Sequence, residues 1–386
     1  MLFDEKINRL NTNSIKWDRY KNPEIIAMGT ADMDFKSPGC VTQALIERAK
    51  VGMFAYEFKS DSYYQAIINW YKRRYNWDLR KEWIANSPGI WAGMRMCVDT
   101  FTKLGDKIIV SSPYYHPVAT IIEKSGREMI TSSLILNNGK YYMDMMDFES
   151  KLAYEKTKMF ILINPQNPTG RVFTRDELQQ IGEICKKHGV MVVSDEVHAN
   201  ITYDGHVHIP FASVSEDLAM QSIVLAAPSK AFNLQGLTYG ILIIPNSEYR
   251  EMYEETMCGY DFDFATNVFS MRALEAAYSQ GEPWLNELNA YLQGNLDYLS
   301  NYFETYIPQI KVIRPEGAYM VWLDCRGLGM QPAQLQHLFY DKAKVALTGG
   351  ENFGTDGEGF QRINIACARS LLEEALKRIR HIIGSL

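Results

Sequence analysis

Short apolar runs separated by longer mixed stretches set the pattern of this 386-residue chain. Six runs read as strands, over 107–111, 129–136, 159–164, 190–194, 222–226 and 239–244. Most are continuously apolar rather than alternating, as in strands covered on both faces. Between two of them, Thr174-Arg175-Asp176-Glu177 forms a capping box that opens a helix, and Gly189 closes it. Strands alternating with helices predict a mostly parallel sheet between helical layers. Only about a dozen residues join the runs at 222–226 and 239–244, too few for a parallel crossover, so that pair is expected to be antiparallel. The last third changes character. Trp284, Leu285, Leu288, Tyr291 and Leu292 have helical spacing within 283–303. Strands follow near 311–314 and 318–323, and 371–383 reads as an amphipathic helix. The expectation is an α/β protein of two domains. A three-layer α/β/α domain over 46–284 has one antiparallel strand in its sheet, and a smaller α+β domain combines 1–45 with 285–386.

Three of these strand ends carry chemistry. The run at 159–164 leads into Asn164-Pro165-Gln166-Asn167-Pro168-Thr169-Gly170, a rigid, irregular turn. The run at 190–194 ends at Asp195, within Ser194-Asp195-Glu196-Val197-His198. A buried carboxylate there either caps a turn or faces a cation such as a protonated pyridine nitrogen. The run at 222–226 leads to Pro228-Ser229-Lys230-Ala231-Phe232-Asn233. A lysine at the end of a buried strand either escapes to solvent or has a task for its amine, such as a Schiff base with a carbonyl cofactor. The succession Asn, Asp, Lys on three strand ends is far rarer than any one of them.

Composition narrows the rest. With 46% hydrophobic and 22% charged residues the chain is an ordinary globular protein. A net charge of −6 gives no reason to expect nucleic acid or an anionic membrane as partner. No run of about 20 apolar residues exists to span a membrane, and the charged N-terminal residues carry no signal-like stretch. Six scattered cysteines form no Cys-x-x-Cys pair, so no zinc site is expected; free thiols in the cytoplasm fit.

The ordered motifs resemble the fold-type I pyridoxal-phosphate enzymes of the class I/II aminotransferase superfamily. Ala31-Asp32-Met33-Asp34-Phe35, Ser229-Lys230-Ala231-Phe232-Asn233-Leu234-Gln235-Gly236-Leu237 and Gly281-Glu282-Pro283-Trp284-Leu285 are similar to its cystathionine β-lyase or C–S lyase branch. So are Pro315-Glu316-Gly317-Ala318-Tyr319-Met320 with Val321-Trp322-Leu323-Asp324, and Gly359-Phe360-Gln361-Arg362-Ile363-Asn364. The resemblance implies pyridoxal 5′-phosphate as cofactor. Lys230 would be the Schiff-base lysine and the base, Asp195 the partner of the ring nitrogen, and Asn167 the donor to the ring 3-oxygen. Tyr115, in Ser112-Pro113-Tyr114-Tyr115, would stack on the ring. His198 stands where the branch carries a histidine, and is otherwise a structural one. The amides of Ile90 and Trp91, after Ser87-Pro88-Gly89, and the Ser229 hydroxyl would hold the phosphate. Tyr56 would reach the phosphate from a second subunit, making a homodimer with a shared site. Arg362, on a strand opposite in facing to Ile363 and Ile365, would bind the substrate α-carboxylate.

Two departures stand out. Thr238 occupies the place, eight residues past the lysine, of an arginine common in aminotransferases, and Ala318 and Met320 replace the branch's usual Thr and Leu. The implied reaction is α,β-elimination on L-cystathionine or related S-substituted cysteines, giving a thiol such as homocysteine, pyruvate and ammonia. Transamination is the alternative, since it shares every step up to removal of the Cα proton, and a regulatory or binding role could be added to either.

Overall fold

The computed structural model describes residues 3–262 and 267–385. Its centre is an eight-stranded sheet. In chain order the strands are β1 (Ile84–Ser87), β2 (Lys107–Ser112), β3 (Glu128–Asn137), β4 (Lys140–Met143), β5 (Thr157–Ile163), β6 (Met191–Asp195), β7 (Ser222–Ala226) and β8 (Gly240–Ile243). Their spatial order is β1-β8-β7-β6-β5-β2-β3-β4. Neighbours from β3 through β7 pair in parallel, and β8 runs antiparallel to β7 and to β1, as the short connection requires. A second antiparallel strand, β4, was not anticipated. It folds back on β3 through Asn138-Gly139, both with positive φ (49° and 76°), the residue pair suited to a two-residue hairpin turn.

The apolar runs behave as strands covered on both sides. Ile109, Phe160, Leu162 and Val192 enter one core, and Ile108, Val110, Met159, Ile161 and Val193 enter another. Alternation of side chains about the strand axis divides each uninterrupted run between two helical layers. Thr174 caps the helix Arg175–Lys187 with the expected capping box, and Gly189 follows its end at φ +64°. Three helices precede the strands that carry the site or pack beside them: α1 (Gly39–Lys50), α2 (Asp61–Tyr75) and α3 (Ile90–Phe101).

The C-terminal part is built on a four-stranded antiparallel sheet. Its strands are β9 (Lys311–Ile313), β10 (Met320–Asp324), β11 (Thr348–Gly349) and β12 (Phe360–Asn364), in spatial order β9-β10-β12-β11. The helices Glu282–Tyr306 and Arg369–Ile383 contain the two amphipathic stretches, each starting earlier than the apolar spacing indicated. A short parallel pair, Ile26–Ala27 with Val345–Ala346, joins the N-terminal segment to this part. Among the described residues no helix is long and apolar enough to cross a membrane.

Candidate active site

Parallel sheets expose their functional groups at the carboxyl ends of the strands. Here β2, β5, β6 and β7 deliver Tyr115, Asn167, Asp195 and Lys230 to one cleft. Gln166 shapes the turn after β5: its Oε1 accepts from the Thr169 N–H (2.9 Å) and hydroxyl (2.6 Å), and its Nε2 donates to Pro113 O (2.7 Å). That leaves Asn167 Oδ1 facing the cleft, where it accepts from Arg362 Nη1 (3.0 Å). Asp195 is the last residue of β6; its Oδ1 accepts from the Val197 N–H (3.1 Å). Lys230 lies in the short helix Ser229–Phe232, and its amine donates to Ala31 O (2.7 Å).

Burial governs the charges. Asp195 is 4% exposed, and desolvation pushes its carboxyl up to about 6, with Glu196 adding to the rise and the Val197 N–H and Lys230 opposing it. Desolvation, assisted by Arg362, brings the Lys230 amine down to about 8, against the pull of Asp32 and Asp195. His198 is buried, and desolvation, Lys230 and Arg362 hold it well below the usual imidazole range. It is therefore neutral, and its buried Nδ1 has no partner. The ring packs edge-on to Tyr319 (5.9 Å, 71°). Arg362 is also buried; desolvation lowers its guanidinium to about 10, which leaves it charged at neutral pH. Nη2 donates to Gly29 O (2.9 Å), while Nε is buried with no acceptor. An arginine with one idle donor, hydrogen-bonded to a residue of the cleft lining, is suited to a carboxylate. The side chains of Arg362 and Asn364 both reach the segment at 29–32, whereas Ile363 and Ile365 enter the core, so the alternation read from the sequence holds.

The other end of the cleft is made of main chain. Gly89 (φ 153°, ψ 165°) sits in a region that only glycine occupies readily, and it opens α3 at Ile90. A Cβ on Gly240, across the gap in β8, would fall 3.2 Å from Gly89 C and 3.3 Å from Ile90 N. Two glycines thus bring bare backbone to the start of a 12-residue helix, where N–H groups at the positive end of the dipole can donate to an anion. Ser229 and Thr238 line the same cleft, and Thr238, at the position where many aminotransferases carry an arginine, lies beside Gly89. The Tyr115 ring, half-buried, lies against Trp91 (5.2 Å, 37°) and forms a flat wall.

The residues singled out in the sequence therefore fall together, with one exception. Ile90, Trp91, Tyr115, Asn167, Asp195, His198, Ser229 and Lys230 line the cleft, and Arg362 joins it through Asn167. Tyr56 is 86% exposed and does not line the cleft of its own chain. The structure adds Ala31, Gln235 and Tyr239 to the lining. Ala31 and Gln235 belong to motifs recognised in the sequence without any role for them. Tyr239 gives no such signal, since its hydroxyl pairs with that of Tyr63 (3.1 Å) from α2, a contact only the fold creates.

Comparison with known proteins fits this geometry. The sequence pattern of the family "Aminotransferase class I and II" matches residues 23–379. The chain belongs to that family. It is 38% identical over 384 residues to the cystathionine beta-lyase PatB of Bacillus subtilis, covering 98% of this chain and 99% of that one. Among solved structures it is similar to a pyridoxal-phosphate-bound putative aminotransferase from Clostridium difficile 630, with a TM-score of 0.96, 40% identity and 99% of both chains covered. It is likewise similar to cystalysin from Treponema denticola, which contains pyridoxal 5′-phosphate (TM-score 0.96, 30% identity, 99% and 98% covered).

Proposed function

We propose that this protein is a pyridoxal-phosphate-dependent carbon–sulfur β-lyase. It cleaves L-cystathionine or related S-substituted cysteines to a thiol, pyruvate and ammonia. One observation carries the chemistry: Lys230 and Asp195 line one cleft together with the helix start at Gly89–Ile90, and the Arg362 guanidinium is hydrogen-bonded to Asn167 of the same lining. The buried, half-satisfied Asp195 calls for a cationic partner, the bare backbone for a phosphate, and the Tyr115 wall for a flat ring, so the residues fit this cofactor. Similarity over nearly the whole chain to a cystathionine β-lyase, and Thr238 in place of arginine, favour the lyase over a transferase.

When bound, pyridoxal phosphate supplies an aldehyde for amines and a ring that accepts the electron pair of a broken Cα–H bond. The residues do the rest. Ile90 and Trp91 N–H groups, Ser229 and Thr238 hold the phosphate end, and Asn167 and Asp195 fix the ring's two polar edges. Arg362, steadied by Asn167 and Gly29, orients the substrate carboxylate. Lys230, at about 8, is part-deprotonated near neutral pH, which suits a group that must first attack a carbonyl and then take the Cα proton. His198, being neutral, adds no cation beside it. Departure of the Cβ thiolate completes the elimination, and homocysteine so released is a precursor of methionine.

The deciding assay mixes holoenzyme with L-cystathionine and no 2-oxo acid. Pyruvate and free thiol in equal amounts are expected; turnover that depends on added 2-oxo acid would mean a transferase instead. Arg362→Lys is expected to raise KM for every amino-acid substrate by about tenfold or more with a smaller change in kcat, because a point charge replaces a two-pronged donor. An unchanged KM would clear Arg362 of carboxylate binding.

The working unit we infer is a homodimer. The irregular stretch before α2 exposes Met53, Phe54, Tyr56 and Phe58, the last 97% exposed, a cluster of apolar surface that a monomer would ordinarily cover. Tyr56 from a second copy would then complete the phosphate end of the cleft. Cys40, Cys97, Cys185, Cys325 and Cys367 form no disulfide, which fits the cytoplasm.

A further inference from the structure

Residues 29–35 form an irregular strap that meets the cleft at Ala31, and their main-chain groups are engaged by side chains from several elements. Arg362 Nη2 donates to Gly29 O (2.9 Å). Asn364 Nδ2 donates to Thr30 O (2.7 Å) and Asp32 O (2.6 Å). The Lys230 amine (2.7 Å) and the Tyr319 hydroxyl (3.0 Å) share Ala31 O. The groups given the proton and the carboxylate therefore rest on carbonyls two residues apart.

The register of the strap is set by Asn233. It ends the short helix that carries Lys230, in the left-handed conformation (φ 57°, ψ 49°) that asparagine and glycine tolerate best. Its side-chain amide acts like a piece of strand. Oδ1 accepts from the Met33 N–H (3.1 Å), and Nδ2 donates to Met33 O (3.1 Å) and Phe35 O (2.8 Å). One side chain thus ties the turn bearing the lysine to the strap bearing the lysine's acceptor. The strap is held from its other side by Asp34, which accepts from Arg9 Nη1, Lys16 Nζ and Trp17 Nε1, each at 2.8 Å.

We propose that Asn233 is a positioning residue for the proton transfer. A lysine side chain has four rotatable bonds, and its effectiveness as a base depends on confinement to one position. By fixing the strap against the Lys230 turn, Asn233 keeps Ala31 O where the detached amine docks. This rests on the reading of Lys230 as the base of the lyase.

Asn233→Gly keeps the left-handed backbone and removes the amide; Asn233→Asp keeps the acceptor and loses both donors. In cofactor-free protein, deuterium uptake of the peptide containing the Met33 N–H should quicken about tenfold or more in Asn233→Gly. In holoenzyme, exchange of the L-alanine Cα proton into deuterated water, followed by NMR, should slow about ten- to a hundredfold. Asn233→Asp should fall between wild type and glycine in both. Unaltered alanine exchange beside faster Met33 uptake overturns the proposal, and so does unaltered Met33 uptake. If the glycine variant does not fold, the aspartate variant is read by the same two outcomes. Alanine has no leaving group, so failure of the lyase reading shows separately, as wild-type protein that exchanges alanine yet releases no pyruvate from cystathionine.

Discussion

Replacing Lys230 by alanine is expected to remove turnover by about 10⁴-fold or more and to abolish covalent attachment of the cofactor. Both losses come from one amine. It sits four residues past the end of β7, where strand and turn present it to the cleft that Asp195 also lines. Desolvation brings it to about 8, so below that pH the reactive uncharged fraction falls about tenfold per unit, and above it the fraction levels off. An ordinary lysine would keep rising to beyond pH 10. Capture of the cofactor by apoprotein should follow the lower profile. After borohydride reduction, the mass of the wild-type peptide containing Lys230 should increase by one reduced cofactor, and the variant should carry no such adduct. An adduct mapped to another lysine, or a variant with wild-type turnover, would refute the assignment. Supplying a small external amine should restore part of the activity of Lys230→Ala, since the cleft that positions the other groups is left standing.

Much of this was legible because the strands are buried on both faces. Such strands must be apolar throughout, so a polar residue at their ends stands out, and Asn167, Asp195 and Lys230 were found that way. The antiparallel β8 followed from chain length alone. The strand β1 did not stand out, since Ile84-Ala85-Asn86-Ser87 is short and half polar; it is a strand because it pairs with β8 at the sheet edge. The hairpin partner β4 reads Lys-Tyr-Tyr-Met, with alternate burial, and needed the Asn138-Gly139 turn as its cue.

Contacts between distant segments were less accessible. That Asn167 and Arg362, 195 positions apart, share a hydrogen bond depends on how the two sheets meet. The strap at 29–35 was visible as a motif, but its use could not be read because it acts through carbonyls, which every residue has. Tyr56 illustrates a third limit. Its sequence context pointed to the cleft of a second copy, and a single chain leaves it facing outward.

Asp195→Asn should separate function from stability. A native carboxyl raised to about 6 binds a proton more tightly than the unfolded one near 3.9. The sign follows: the folded apoprotein loses stability as pH rises from about 4 to 6, and above 6 the full penalty, on the order of 3 kcal/mol, is in force. An asparagine can still accept from the Val197 N–H and carries no charge to bury. Its removal also takes away an anion that favours the Lys230 ammonium, so the net gain is smaller, about 1–2 kcal/mol. Cofactor-free Asp195→Asn should therefore melt above wild type at pH 7–8, with the difference closing below pH 4. Turnover should nevertheless fall about a thousandfold or more, because an amide cannot keep the ring nitrogen protonated while charge develops. Adding cofactor should stabilise wild type more than the variant, since only the carboxylate gains a cation. A variant that melts at or below wild type across the whole range, or that turns over normally, would show that burial of this charge is not what readies the site for its cofactor.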